Sequence, residues 1–415
     1  MKLFNTPINV IGFGFAGIEC ALFLAAHGNR VHIFGHETPL ANCNCSFCRS
    51  RQKSKQEELC QSLLTRELSL LGSPLIAEEQ RLLNTGYHGC IPSKVLEFGR
   101  ELVKKSRNIE YFDACVHELN PKEITIVATG SNTDNCMADF LTKKLGSMRL
   151  LRTSAINPIV CNIDQTKLYH KEGDNMLYLP LSYNEYVDFL NAVLRICNKL
   201  GKFRFVENTV EDLVIKARDA LKCFSFVPVF LPELESRPYA VVSLSTCDDG
   251  FVIENLSSKL PADCQLEIFR ALPGFENAGL VRAADVIDSV HINTKYVLND
   301  FNQCVMDENL FFAGSILGLS DFVDRVASGM ATAICVNKYS YGQSMLALPE
   351  KSCIGKLCHK IISSNLQKKN ENSHNYDIIS SQVAVEGQNN IETLFSTSVD
   401  ALAKYKEEYI YGKYV

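Results

Sequence analysis

The segment Ile8–Phe34 constrains this chain more tightly than any other. Ile8-Asn9-Val10-Ile11 is a short apolar run that reads as a buried strand. Gly12-Phe13-Gly14-Phe15-Ala16-Gly17 follows at once in a G-x-G-x-x-G pattern. Ile18 to His27 then carries helical periodicity and stops at Gly28, a residue suited to a helix C-terminus. Arg30-Val31-His32-Ile33-Phe34 supplies a second strand. In this strand–loop–helix–strand context the motif predicts a dinucleotide-binding βαβ unit. The first glycine permits the tight turn, the second lets the backbone approach a pyrophosphate, and the third lets the helix pack closely on the strand. The helix N-terminus offers free N–H groups to the phosphates. The second strand of such a unit normally ends in Asp or Glu, which holds the ribose hydroxyls. Here that position is Gly35, and Glu37 is the candidate substitute two residues on.

Two later stretches point to a flavin fold. Ile124-Thr125-Ile126-Val127-Ala128-Thr129-Gly130 reads as a buried strand running out beneath a bound dinucleotide. Leu310-Phe311-Phe312-Ala313-Gly314 reads as a strand and glycine turn, and Val326-Ala327-Ser328-Gly329-Met330 as the opening of a helix of small and apolar residues. The expected fold is α/β, a discontinuous Rossmann-like FAD-binding domain with an inserted α+β domain. Its parts are expected at 1–164, 165–275 (insertion), 276–345 (return to the cofactor domain) and 346–415 (C-terminal extension). Within the insertion, strands are expected at Lys167–Tyr169, Met176–Leu179, Phe224–Val229 and Tyr239–Leu244, with an amphipathic helix over Asn184–Leu200.

Taken in order, these pieces resemble the TrmFO family, folate- and FAD-dependent RNA uracil-C5 methyltransferases, from residue 7 to about residue 360. The resemblance rests on Val10-Ile11-Gly12, on Arg237-Pro238-Tyr239-Ala240-Val241-Val242, and on Ile268 to Ala278 (IFRALPGFENA). It continues in Leu310 to Gly314 with Ala327-Ser328-Gly329, and in Ile354-Gly355-Lys356-Leu357. It implies FAD on Gly12, Phe13, Gly14, Phe15, Ala16 and Gly17, with Glu37, Thr129, Gly130, Gly314, Ser328 and Gly329 around the same cofactor. It also implies methylenetetrahydrofolate as one-carbon donor, NAD(P)H as reductant, and an RNA substrate, either tRNA or 23S rRNA. The family's chemistry needs a thiolate that adds to uracil C6, since C5 is otherwise a poor nucleophile. Cys45, in Cys45-Ser46-Phe47-Cys48, is the candidate nucleophile, with Cys43 and Cys48 as competitors. The family's second cysteine corresponds to Thr209, and a threonine hydroxyl cannot replace a thiolate without a strong base. Family segments are also changed at Pro92-Ser93-Lys94-Val95, Ile287-Asp288-Ser289-Val290 and Leu256-Ser257-Ser258-Lys259. A diverged paralogue that keeps the flavin fold, binds FAD or RNA and methylates nothing is therefore the alternative reading.

The remaining signals are weaker. Seventeen cysteines in a chain that opens without a signal-peptide pattern imply reduced thiols and a cytoplasmic protein. Cys20, Cys197 and Cys335 sit in apolar helical patterns and are expected in the core. Cys43, Cys45 and Cys48 have no partner pair at metal-site spacing, so no metal is expected. Net charge is −5, so any RNA contact must be local. Arg49, Arg51, Lys53 and Lys55 form one such basic run, read equally as a phosphate-contacting loop or a solvated one. Gly89-Cys90-Ile91-Pro92-Ser93-Lys94 imitates a disulfide oxidoreductase segment, but Thr85 stands where a second cysteine is required. His36 and His291 read as isolated. The tyrosine-rich end from Tyr405 reads as a terminal element packed partly on the body, and Lys368–His374 as a linker. No apolar run is long enough for a transmembrane helix.

Overall fold

The computed structural model describes residues 6–37, 55–87, 91–130, 133–146, 149–170, 176–200, 238–247, 249–254, 256, 258–319, 321–363 and 391–411. The chain divides into two compact units. One is built from Met1–Thr38, Lys53–Arg152 and Ser289–Val415, and the other is centred on Thr153–Asp288.

The first unit is organised by a six-stranded sheet. β1 (Ile8–Ile11) pairs in parallel with β2 (Val31–Phe34) on one side and with β4 (Thr125–Val127) on the other. β3 (Ile109–Phe112) pairs with β2, and β14 (Asp307–Phe312) pairs with β4, both parallel. A short antiparallel strand, β13 (Gln303–Cys304), closes the edge, giving the order β3-β2-β1-β4-β14-β13. The parallel strands are short and mostly apolar because both faces are covered, which leaves no room for an alternating polar pattern. The chain order reverses at β1, and ligands of such sheets bind at that switch point, beyond the strands' carboxyl ends.

Helix α1 (Phe15–Ala26) is buried over nearly its whole length, with no polar stripe, because the sheet covers one side and helices the others. It ends at Gly28, whose φ of +86° fits the predicted C-terminal glycine. Its main partner is the long helix α8 (Phe322–Ser340), which begins one turn before the expected Val326 because Asp321 caps it by accepting from Val323 N–H. Gly329 is the point of closest approach. A Cβ there would lie 2.6 Å from the Ala16 carbonyl oxygen, and the Cys20 thiol donates to the Gly329 carbonyl at 3.1 Å. Helices α2 (Lys55–Leu71), α3 (Pro74–Asn84) and α4 (Ile91–Lys105) fill the crossover from β2 to β3, and α5 (Asn135–Leu145) follows β4. The Gly89–Lys94 stretch thus ends inside the first turn of α4 rather than in a redox loop, its first two residues lying outside the described ones. Glu67 of α2 accepts from the Cys353 and Ile354 N–H groups, which begin α9 (Cys353–Ser363), and from Ser398 of α10 (Ile391–Tyr405). The tyrosine-rich end packs as expected: Tyr405 and Tyr409 are buried, and the Lys338 ammonium lies 4.8 Å from the Tyr409 ring.

The second unit has an antiparallel sheet in the order β11-β6-β10-β9-β8-β7. Its strands are β6 (Ile159–Cys161), β7 (Tyr169–His170), β8 (Met176–Leu181), β9 (Ala240–Cys247), β10 (Gly250–Ile253) and β11 (Gly279–Arg282). Helix α6 (Tyr183–Lys199) begins in a capping box in which Ser182 and Glu185 satisfy each other's N–H groups. Its apolar side packs Phe189, Leu190 and Val193 into one core with Phe269 of α7 (Ala262–Phe269), Phe275 and Leu244. Fully burying each such side chain contributes about 2–3 kcal/mol. The IFRALPGFENA stretch is the end of α7 and the turn after it. Gly274 (φ +80°) accepts from Asp164 N–H, and Arg270 Nε donates to the Ala278 carbonyl. The expected strand at Phe224–Val229 and the linker at Lys368–His374 lie outside the described residues. The remaining strands, β5 (Arg149–Ile156) and β12 (Asp285–Ile292), span the chain's passages at residues 152–153 and 288–289 and pair with each other. All twelve described cysteines are free thiols, and Cys20, Cys197 and Cys335 are in the core as expected. Among the described residues no helix is long and apolar enough to cross a membrane.

Candidate functional site

Parallel register brings the predicted site residues to one edge. Ile11 is level with Phe34 and Val127, Phe34 with Phe112, and Val127 with Phe312. The residues that follow, Gly12, Gly35, Asp113, Ala128 and Ala313, therefore stand in a row at the carboxyl ends. Their N–H groups continue the ladder: Gly12 to Phe34, Gly35 to Phe112, Ala128 to Ile11 and Ala313 to Val127, at 2.8–3.1 Å.

The three loop glycines are required for three different reasons. Gly12 has φ +126°, and a Cβ there would sit 2.3 Å from the Ala128 carbonyl oxygen. A Cβ on Gly17 would sit 1.9 Å from the Gly12 carbonyl oxygen. Gly14 has ordinary extended backbone, and a Cβ there would meet nothing within 4 Å. Gly12 and Gly17 thus serve the fold, while Gly14 keeps clear the space in front of the α1 N-terminus. Phe15 packs edge-on to Phe322 at 4.7 Å, and Ala16 is the surface against which Gly314 and Gly329 close. Gly314 (φ +80°) donates its N–H to Ser328 Oγ at 2.9 Å, and Ser328 donates in turn to the Arg325 carbonyl. Beneath the loop, Thr129 is buried and its hydroxyl has no hydrogen-bond partner among the described residues, while a Cβ added to Gly130 would meet only Ser315 Oγ, at 3.9 Å. Open space before Gly14, free N–H groups at the helix start and an unpaired hydroxyl below fit the pyrophosphate of a dinucleotide.

A match to the glucose inhibited division protein A family covers residues 7–344. The methylenetetrahydrofolate–tRNA-(uracil-5-)-methyltransferase TrmFO of Thermotoga maritima is 30% identical over 86% of this chain and 88% of its own length. That of Acetivibrio thermocellus is 28% identical over 97% and 99%. The chain belongs to the GidA/TrmFO family. Its fold is that of Aquifex aeolicus GidA, which superposes with a TM-score of 0.62 at 16% identity, over 97% of this chain and 73% of that one.

Where dinucleotide folds carry an acidic residue after β2, this GidA/TrmFO chain has a different construction. Gly35 has φ +150°, and a Cβ there would lie 2.9 Å from Phe13 N. The Phe13 ring stacks on Tyr111 at 4.4 Å, and Tyr111 Oη donates to the Gly35 carbonyl at 3.0 Å. Burial, with Asp113 and Glu37 adding to it, raises the Tyr111 pKa, so its hydroxyl keeps its proton. Glu37, the expected substitute, is ion-paired with Lys104. The Arg100 guanidinium lies over Phe13, 5.4 Å from the ring centre, and Nη2 donates to the Phe13 carbonyl at 3.4 Å. Its Nε is buried without a hydrogen-bond partner among the described residues, and desolvation lowers its pKa. Sequence reading missed Arg100, Lys104 and Tyr111. Arg100 is 87 positions from Phe13, in a helix without a motif, and only the packing of α4 against the loop brings it there.

His291 is a satisfied core histidine, with Nδ1 2.9 Å from the Ser315 carbonyl oxygen. His36 is not isolated: Nδ1 is 2.6 Å from Asp113 Oδ1 and Nε2 3.2 Å from Cys115 Sγ. Burial and the Asp134 carboxylate push the Cys115 thiol up, so it is no standing thiolate. Within α1, Glu19 is wholly buried; desolvation raises its pKa to about 8, with Ser73 pulling slightly the other way. It is therefore mostly protonated at neutral pH. Cys43, Cys45, Cys48, the basic residues 49–54 and Thr209 lie outside the described residues.

Proposed function

We propose that this protein methylates uracil C5 in transfer RNA, with FAD bound on the Gly12–Gly17 loop and methylenetetrahydrofolate as the one-carbon source. The observation that carries this reading is the pairing of a dinucleotide edge, continuous from Gly12 to Gly314, with likeness to TrmFO enzymes along almost the whole chain. The curated relatives are named for tRNA, which favours it over 23S rRNA. FAD, when bound, supplies the reducing equivalents that turn the one-carbon unit into a methyl group, and NAD(P)H recharges it. The α1 N-terminus and Gly14 hold the pyrophosphate, and Thr129 offers its unpaired hydroxyl from below. Gly130, Gly314, Ser328 and Gly329 shape the opposite end of the site. Cys45 is the proposed nucleophile: its thiolate adds to C6, C5 bonds to the one-carbon unit and gives up its proton, and departure of the thiolate re-forms the C5=C6 double bond of the uracil ring.

A second reading, a paralogue that keeps the cofactor fold without methylating, is favoured by Thr209 and by the absent carboxylate at Gly35. The test is a visible spectrum with and without added FAD, followed by a 5-methyluridine assay on unmodified tRNA transcript. The first reading expects flavin uptake and a product that Cys45→Ala abolishes. Flavin uptake without product favours the paralogue. A protein that takes up no flavin sinks the methyltransferase reading.

A further inference from the structure

The adenosine end of the loop is built without a carboxylate at the end of β2 in this chain. A carboxylate after β2 accepts from ribose hydroxyls and repels a phosphate on them, whereas an arginine at that end accommodates a 2′-phosphate. Here Gly35 supplies no carboxylate, and its closeness to Phe13 N leaves no room for a side chain. The carboxylates around it have other partners: Glu37, Glu97 and Glu101 pair with Lys104, Lys94 and Lys105, and Asp113 lies against the His36 ring. Among the described residues Arg100 has no carboxylate within ion-pair distance, although Glu37 and Glu97 lie near enough to favour its charged form. Its guanidinium is held over Phe13, the residue between the first two loop glycines, and its Nε is unsatisfied.

We propose that Arg100, facing a strand end without a carboxylate, makes the adenosine end of this site a receptor for a phosphorylated ribose, so that 2′-phosphorylated dinucleotides of the NADP type compete for the FAD loop. The proposal rests on the dinucleotide reading of that loop. Toward FAD, the same guanidinium donates to ribose hydroxyls, a weaker bond than one to phosphate because only the latter is charged on both sides. Occupancy of the flavin site then depends on the supply of 2′-phosphorylated nucleotide as well as on FAD.

The test uses full-length protein stripped of flavin and titrated calorimetrically with ADP-ribose and with 2′-phospho-ADP-ribose. The expected result is that the phosphorylated compound binds about tenfold tighter, the size of one charge-assisted hydrogen bond. The preference should shrink at high salt and vanish in Arg100→Met. Arg100→Lys, which keeps the charge but loses the planar fork, should keep part of it and serves if Arg100→Met does not fold. Equal affinities in the wild type, or a preference that Arg100→Met or Arg100→Lys leaves unchanged, would overturn the proposal. FAD uptake is read separately from the visible spectrum. A protein that prefers 2′-phospho-ADP-ribose yet takes up no FAD keeps this inference and loses the methyltransferase one, and the converse result does the opposite.

Discussion

At the phosphate end of the sheet edge, Gly12, Gly14 and Gly17 leave space, and the chain presents backbone. At the ribose end, Phe13, Tyr111, Arg100 and Lys104 fill space, and the chain presents side chains drawn from the loop itself, α4 and β3. At Gly12 and Gly17 the backbone construction tolerates almost no substitution, because an added Cβ meets main-chain atoms that cannot turn aside. Side-chain construction can be rewritten one residue at a time, and the ribose end is where this chain departs from the usual carboxylate. Within one candidate site, the part held by backbone is fixed by main-chain contacts, and the part held by side chains is the part that single substitutions can alter.

The sharpest test of that contrast lies inside the loop. Gly17→Ala puts a methyl group against the Gly12 carbonyl and should lower unfolding free energy by about 3 kcal/mol, abolishing flavin uptake. Gly14→Ala should leave the denaturation midpoint within about 0.5 kcal/mol of wild type while weakening FAD binding, because its Cβ meets only the space kept for the ligand. Equal effects of the two on stability would erase the distinction between folding glycine and binding glycine.

A second test concerns α1 itself. Glu19 has a carboxyl raised from its ordinary 4.5 to about 8 in the folded state, so the folded protein holds a proton the unfolded chain has lost. Its contribution is fully present below pH 4.5 and is lost as pH rises toward about 8. Urea midpoints should therefore fall across that window by the equivalent of on the order of 5 kcal/mol, then level off. Glu19→Gln should flatten the profile; an unchanged slope in the variant would assign the titration to another group.

The smallest expected effect is at the ribose end. Tyr111→Phe removes the bond to the Gly35 carbonyl and should cost about 1 kcal/mol, with FAD uptake little changed. A collapse of FAD uptake in this variant would mean that the Gly35 backbone position, rather than the side-chain wall, controls the ribose end.

The glycine loop, the strands flanking it, the discontinuous second stretch at Leu310–Gly314 and the α6 helix were legible in sequence, because each is a local pattern. A buried strand, a turn requiring glycine or a capped amphipathic helix depends on neighbours within a few positions. Even the departure at Gly35 was visible as a missing carboxylate. What replaced the carboxylate was not visible. Glu37 is close by in sequence but is ion-paired with Lys104, while Arg100 reaches the loop from 87 positions away. The same holds for Glu19: its place one turn past the motif is plain in sequence, but its protonation follows only from the packing that excludes water from α1. Sequence alone determined that this chain makes a dinucleotide-binding edge, since backbone geometry is encoded by adjacent residues. Tertiary structure decided which charges face that edge, since charge and solvation are set by whichever distant side chains the fold brings together.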